Sequence, residues 1–217
     1  MSKLIWDATG TRDLESGVSE VALFPMGSNG VYGTGVAWNG ITQITESPSG
    51  ADVTDLYADN IKYASLRAAE KFGGTIEAYQ YPDEWAECDG SAEAAPGVFL
   101  GQQNRKAFGL VYKTQIGDDT HPGMDKGYKL HIIYNCTASP SSRSYATINE
   151  NPDAITFSWE FNSTPVAVEG YKATSEITID STKADDAKLK ALEKKIYGDD
   201  NNEPTMPNAE DVITDLT

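Results

Sequence analysis

Histidine and cysteine are nearly missing from this chain, with two of each in 217 residues. Cys88 and Cys136 are too few for a disulfide framework. Nothing in the sequence demands a bridge between them, and buried free thiols in a reducing cytoplasm are the expectation. His131 and Cys136 fall five apart on one expected strand, which predicts opposite faces. No Cys/His spacing of a zinc site is present. His131 itself is read as a sheet-surface residue. A Ser-His-Asp site would have to use His121 or His131, and no G-x-S-x-G elbow accompanies them. No acid pair stands out among the 33 acidic residues as a glycosidase pair. Long apolar runs are missing too. Nowhere do about 18 apolar residues run together, and the opening MSKLIWDATGTRDLE lacks a signal-peptide stretch. No export or membrane insertion is therefore expected.

Basic residues are scarce. Lys and Arg number 17 against 33 Asp and Glu, for a formal charge of −16 and a pI near 4.4. Such a chain does not hold a phosphate backbone by counterion release. It repels polyanions within a Debye length of ~8 Å at physiological salt. The charge serves solubility, or a surface that nucleic acid passes without sticking.

Two loops invite a ligand reading and then decline it. Gly27–Gly35, GSNGVYGTG, has glycines spaced like a phosphate loop, but no helical pattern follows, so a turn between strands is predicted. Asp118, Asp119 and Asp125 could gather Ca²⁺, but they miss EF-hand spacing and read as a solvated hairpin tip. The sequence thus predicts no catalytic, cofactor-binding or metal-binding residue, no cofactor and no enzyme.

Strand patterning organises what is there. Gly127–Val168 holds three alternating runs separated by turns. Ile155–Phe161 alternates Ile155, Phe157, Trp159 and Phe161 with polar residues, one face dry and one wet. Tyr128–Cys136 alternates Leu130, Ile132, Tyr134 and Cys136 in the same way. TASPSSRS between them is a loop. Further strands are predicted at Val18–Pro25, at VAWNGITQITE with a kink at Asn39-Gly40, at Val53–Tyr57, Thr75–Tyr81, Phe99-Leu100, Phe108–Ile116 and Ser175–Asp180, with Val166–Val168 extending the sheet. Residues 61–72 contain helix formers, yet alternate as a strand does, so that two strands are predicted, one there and one at Thr75–Tyr81 after Gly73-Gly74. Pro82–Trp85 opens a short helix that ends at Gly90. Ser91–Gly97 reads as weakly structured.

The period changes after Thr182. Leu189, Leu192 and Ile196 recur at helical spacing, Thr182 can cap with Asp185, and Gly198 stops the helix. Four segments result: an arm at 1–16 with a Leu4-Ile5-Trp6 hook, a β domain at 17–181, an amphipathic helix at 182–198, and an acidic tail at 199–217 read as an arm or partly mobile. The hook docks on its own domain or on a neighbouring subunit.

Nine stretches, in order, carry a family resemblance: GVSEVALFP, VYGTGVAWNGIT, YADN-IKY, GGTIEAYQYPDEWAECDG, GQQNRKAFGLVYKT, GYKLHIIYN, ASPSSRSYATIN, SWEFNSTPV and ITIDSTKAD. Across Gly17 to Gly198 the chain resembles the major tail proteins, or tail-tube proteins, of long flexible-tailed bacteriophages. The resemblance implies a mainly β fold, a sandwich or open barrel with a flanking C-terminal helix, extended loops and arms, and no catalytic residue. It implies hexameric rings that stack into a hollow tube in the virion, assembled in the host cytoplasm. The tube would surround a tape-measure protein, meet tail terminator and distal tail proteins, and pass viral DNA without specific binding. Lumen-lining candidates are Gly35–Glu46 and Lys62–Tyr81, joined between neighbours into one continuous barrel. Ring-contact candidates are Met1–Ser16, Ser47–Asn60 and Gly117–Gly127. The competing reading is a β-sandwich glycan- or receptor-binding module presenting Trp38, Trp85 or tyrosines; a hydrolase ranks last.

Overall fold

The computed structural model describes residues 3–148 and 154–217. In chain order the elements are β1 (Leu14–Pro25), β2 (Val36–Ala37), β3 (Ile41–Glu46), β4 (Ser49–Gly50), β5 (Val53–Ala58), β6 (Ile61–Arg67), β7 (Glu70–Ala78), α1 (Trp85–Cys88), β8 (Ala92–Ala95), β9 (Val98–Leu100), β10 (Phe108–Gly117), β11 (Gly127–Ala138), β12 (Phe157–Ser163), β13 (Glu176–Asp180), α2 (Asp186–Tyr197) and α3 (Ala209–Leu216). The fold is mainly β. Strands follow the order β2-β1-β10-β11-β12-β7-β3, all antiparallel, with β13 on β11 and β4 on β7. The sheet curls so that β3 comes back against β1 without pairing with it. The Trp38 amide donates to the Val21 carbonyl at 2.8 Å, and the Tyr112 hydroxyl donates to Glu46. The result is an open barrel.

Aromatic side chains fill the barrel. Trp38, Trp85 and Trp159 meet at centroid distances of 4.6, 5.4 and 5.7 Å, with Phe108 5.0 Å from Trp85. Helix α1 is one turn long and closes the barrel interior with Trp85 and Cys88. Burial of each such large side chain contributes about 1.5–3 kcal/mol. The outer face of β1, β10, β11 and β13 is also dry. Leu130, Ile132, Tyr134 and Ile179 pack there against Leu189, Leu192 and Ile196 of α2 and against Met206, Ala209 and Val212.

Strand β11 therefore departs from its expected pattern, because both of its faces are buried. Plain alternation gives this up to Tyr134, and a bulge then changes which residues face which core. Phe108 faces Cys136 while Leu110 faces Ile133, and Asn135 between them takes φ +48°. The extra residue inverts the side-chain parity. Cys136 consequently joins Ile133 in the barrel, while Tyr134 stays outside. His131 precedes the bulge by four residues and is on the same face as Cys136, not the opposite one. The displaced backbone is still bonded: Asn135 N–H donates to the Tyr32 hydroxyl at 2.8 Å, and its carbonyl accepts from Thr164 at 3.0 Å.

Other differences have local causes. Residues 61–72 are strands as predicted, but Gly73-Gly74 lies inside β7 instead of before it. A Cβ on Gly74 would sit 2.3 Å from the Thr45 carbonyl oxygen and 2.8 Å from the Phe161 ring, so only glycine lets β3 and β12 approach this closely. Strand β12 starts at Phe157, because its first rung is Phe157 on Ala78. Ser91–Gly97 is not irregular: most of it forms β8, which pairs with β9. Val166 does not extend the sheet and makes a single bridge to Thr174. Helix α2 is capped by Asp185, whose carboxylate accepts the Lys188 amide at 3.0 Å. Thr182 is not the cap, since it is held in the preceding turn by Asp180. The tail ends in a helix, α3, which buries Ala209 and Val212 instead of hanging free. Lys113 ties α2 to the sheet, pairing with Glu20 at 2.7 Å and Glu193 at 2.9 Å and lying over the Tyr128 and Tyr197 rings.

Two substitutions test this architecture. Leu192→Ala should cost about 3 kcal/mol, by leaving a cavity under α2. Tyr32→Phe should cost about 1–2 kcal/mol, by stranding the bulge N–H. Urea unfolding measures both, and an unchanged midpoint for Tyr32→Phe would show that the bulge does not need that hydroxyl.

Candidate functional site: an assembly surface

Cys88 and Cys136 are free and buried, and burial pushes the Cys88 thiol up to about 12 and raises Cys136 further. Neither is a poised nucleophile. Trp38 and Trp85, candidates for a glycan platform, are 2% and 0% exposed. Both tryptophans are core, which takes them out of a carbohydrate-binding platform.

The conspicuous surface is instead a projecting ribbon. Strands β5 and β6 form a two-stranded sheet of their own, off the main barrel. Asp59 and Asn60 join them, with φ of +51° and +64°. Positive φ at both central residues is the type I′ geometry that suits the twist of a hairpin. The sequence carried this signal in Asp59-Asn60, a pair that tolerates left-handed backbone. Reading Ser47–Asn60 as a long connection missed it. Val53, Leu56, Tyr57, Ile61, Tyr63 and Leu66 are all exposed on this ribbon. An isolated hairpin is marginal in water, and contiguous exposed apolar surface marks an interaction site. The second ribbon, β8–β9, likewise exposes Val98, Phe99 and Leu100.

The N-terminal arm adds a third element. Leu4, Ile5 and Trp6 are 72–78% exposed and do not dock on their own domain. The arm's root is anchored. Gly10 N–H donates to Asp119 at 2.9 Å, and Lys126 pairs with Asp13 and with Asp118 at 3.0 Å. Two predicted contact segments, Met1–Ser16 and Gly117–Gly127, thus meet within one molecule. Asp118 is not a solvated turn residue. It is buried, and it accepts from Thr120, His121 and Lys126. The Thr120 hydroxyl first, then His121 and Lys126, hold its carboxyl well below the ordinary range against the pull of burial. Its oxygens are committed to protein donors, which leaves the acidic tip without a cation-binding arrangement.

Strands β3, β7 and β12 bring both lumen candidates together. Gln43 faces Glu77, which faces Ser158, and Thr45 faces Thr75, which faces Glu160. The inward partners Ile76, Trp159 and Phe161 are core, so this outer face is polar and acidic, with Lys71 at one end.

A model of the family described as phage tail tube protein matches residues 20–206. The chain belongs to that family. It is a structural subunit of a phage tail tube and a component of the virion. No curated protein matches. Among solved structures, one from an extracellular contractile injection system, the PVC sheath-tube complex in its extended state, is 11% identical, covering 81% of this chain and 94% of that one. Its TM-score is 0.31, too low to carry an argument. In this tail-tube subunit the ribbons and the arm are surfaces left over after the core is complete, as a self-assembling component requires.

The tip that anchors the arm should be acid-sensitive. Asp118 titrates below its unfolded value of about 3.9, so its contribution is complete above that pH and lost as pH falls toward the folded value. Asp180, lowered to about 2 chiefly by the Thr182 hydroxyl, acts in the same direction. The stability gap between the natural chain and Asp118→Asn should be widest at neutral pH and shrink below about pH 4, as read by thermal melts across pH. A gap that grew on acidification would contradict the assignment.

Proposed function

We propose that six copies of this subunit close into a ring and that rings stack into a hollow tube. The tube surrounds a tape-measure protein during assembly and conducts viral DNA during ejection. The observation that carries this reading is the β5–β6 ribbon, whose apolar side chains stand in water on a molecule whose two cores are otherwise complete. Contact with identical copies covers it. The ribbon and the Leu4-Ile5-Trp6 arm make the contacts between subunits and rings. The edge of β3 and the part of β1 that the short β2 leaves uncovered join neighbours, which removes open strand edges.

The polar outer face of β3, β7 and β12 then lines the channel. With −16 on each chain, an acidic wall repels the DNA backbone and lets it slide. A lone glycan-binding module is disfavoured by the burial of Trp38 and Trp85.

Deleting residues 1–9 spares the anchored Gly10 and β1, so folding should persist. Replacing 53–67 with a short Gly-Ser turn should do the same. Each variant should remain β-rich by circular dichroism and fail to form tubes under negative-stain microscopy. Normal tubes from both would overturn the reading. Glu77→Lys with Glu160→Lys should leave tubes intact while lowering infectivity of assembled particles; unchanged infectivity would place another face in the channel.

A further inference from the structure

One buried group has no role in either core. His131 is 8% exposed and sits at the end of the barrel interior, stacked on Tyr112 at a centroid distance of 4.7 Å and 7° between planes. Its Nε2 lies 3.0 Å from the Thr114 hydroxyl oxygen, and its Nδ1 lies 3.3 Å from that of Thr178. Each threonine has a single hydroxyl proton to give. Thr114 gives its proton to Glu15 at 2.6 Å, and Thr178 gives its own to Glu176 at 2.7 Å. Both hydroxyls therefore turn only lone pairs toward the ring. A nitrogen facing a lone pair must carry hydrogen, and a neutral imidazole has one N–H.

We infer that His131 is a doubly protonated imidazolium and is the cation that staples the barrel mouth. Three carboxylates face it: Glu15 at 3.6 Å from Nε2, and Glu46 and Glu176 at 3.7 and 3.8 Å from Nδ1. They come from β1, β3 and β13, while Tyr112 and Thr114 come from β10. On β11 itself, Lys129 pairs with Glu15 and offsets that charge. Glu46 also accepts the Tyr112 hydroxyl. Two carboxylates thus remain for one ring cation. Glu176 lies beyond hydrogen-bond reach of the ring, as a charge contact, and the neighbouring His131 and the Thr178 hydroxyl hold its carboxyl below its ordinary range against burial. Ligand atoms of Glu46, His131 and Glu176 lie within 4.8 Å of one another, a spacing that a metal could also use. A metal would need a bare ring lone pair, and Nδ1 has Thr178 in front of it.

The staple has a structural consequence. Glu15 marks where the arm enters β1, and Glu46 ends the strand that leads to the β5–β6 ribbon. One ring proton thereby fastens the roots of both contact elements to β11. That consequence for assembly rests on the tube reading, whereas the proton count does not.

Ring ¹⁵N spectra of the full, unassembled chain at neutral pH test it directly, since only His121 and His131 contribute. The resonances absent from H131Q should be those of a ring protonated on both nitrogens. A neutral tautomer would overturn the inference. So would a ring signature that changes only on adding Zn²⁺, which would make the occupant a metal. Hydrogen exchange in H131Q should quicken about tenfold at Glu15–Ser16 and Glu46–Ser47, the scale of one lost charged hydrogen bond, and stay unchanged in the middle of β10. Unaltered exchange at those roots would remove the staple even if the ring proved cationic. Tube formation is scored separately, so failure of the staple and failure of the assembly reading are distinguishable.

Discussion

Both cores of this molecule hang on one strand. Ile133 and Cys136 of β11 point into the aromatic barrel, while Leu130, Ile132 and Tyr134 point outward to the helices. A strand with two dry faces cannot shift register, because any slip drives a whole set of side chains into the wrong core. The bulge at Asn135 then turns Cys136 to the barrel side, opposite to Tyr134. Its cost is met by Tyr32 and Thr164, which receive the displaced amide and supply the missing donor. Strands β10, β12 and β13 take their positions from β11, and so do α2 and α3.

Once these cores are closed, the remaining apolar residues have no place inside. Tyr57, Tyr63, Leu66 and Trp6 are left in water. In a monomer that arrangement invites aggregation, whereas a subunit of a tail tube has other copies to meet. The arm is tethered by its root and exposed at its hook, which lets it reach a neighbour without being lost to the chain.

Much of the fold was legible, and the failures are instructive. Alternation revealed β1, β3, β7, β10, β12 and β13, and the Leu189, Leu192, Ile196 spacing revealed α2. Alternation failed on β11, because both faces of the strand are covered and its bulge leaves no mark in the hydrophobic period. His131 was therefore taken for a surface residue beside a wet face, and its carboxylate cage was invisible: Glu15, Glu46 and Glu176 lie far apart in sequence. The acidic tail hid α3, since Ala209 and Val212 alone make a weak stripe until Met206 and α2 give it something to cover. The β5–β6 ribbon was half seen. Its strands alternate, but its surfaces match no core, and only Asp59-Asn60 announced the turn.

Composition and local period alone determined the class of the protein. A large negative charge argues against holding a phosphate backbone, and many short alternating runs commit the chain to antiparallel sheet. Those properties depend on neighbours a few residues away, which is what a sequence displays. Tertiary structure decided which faces are dry, which aromatic side chains are core and which stand in water, and where a lone imidazole meets three acids. Each of these depends on how the sheet curls and where it bulges, and so on contacts between residues that the chain keeps far apart.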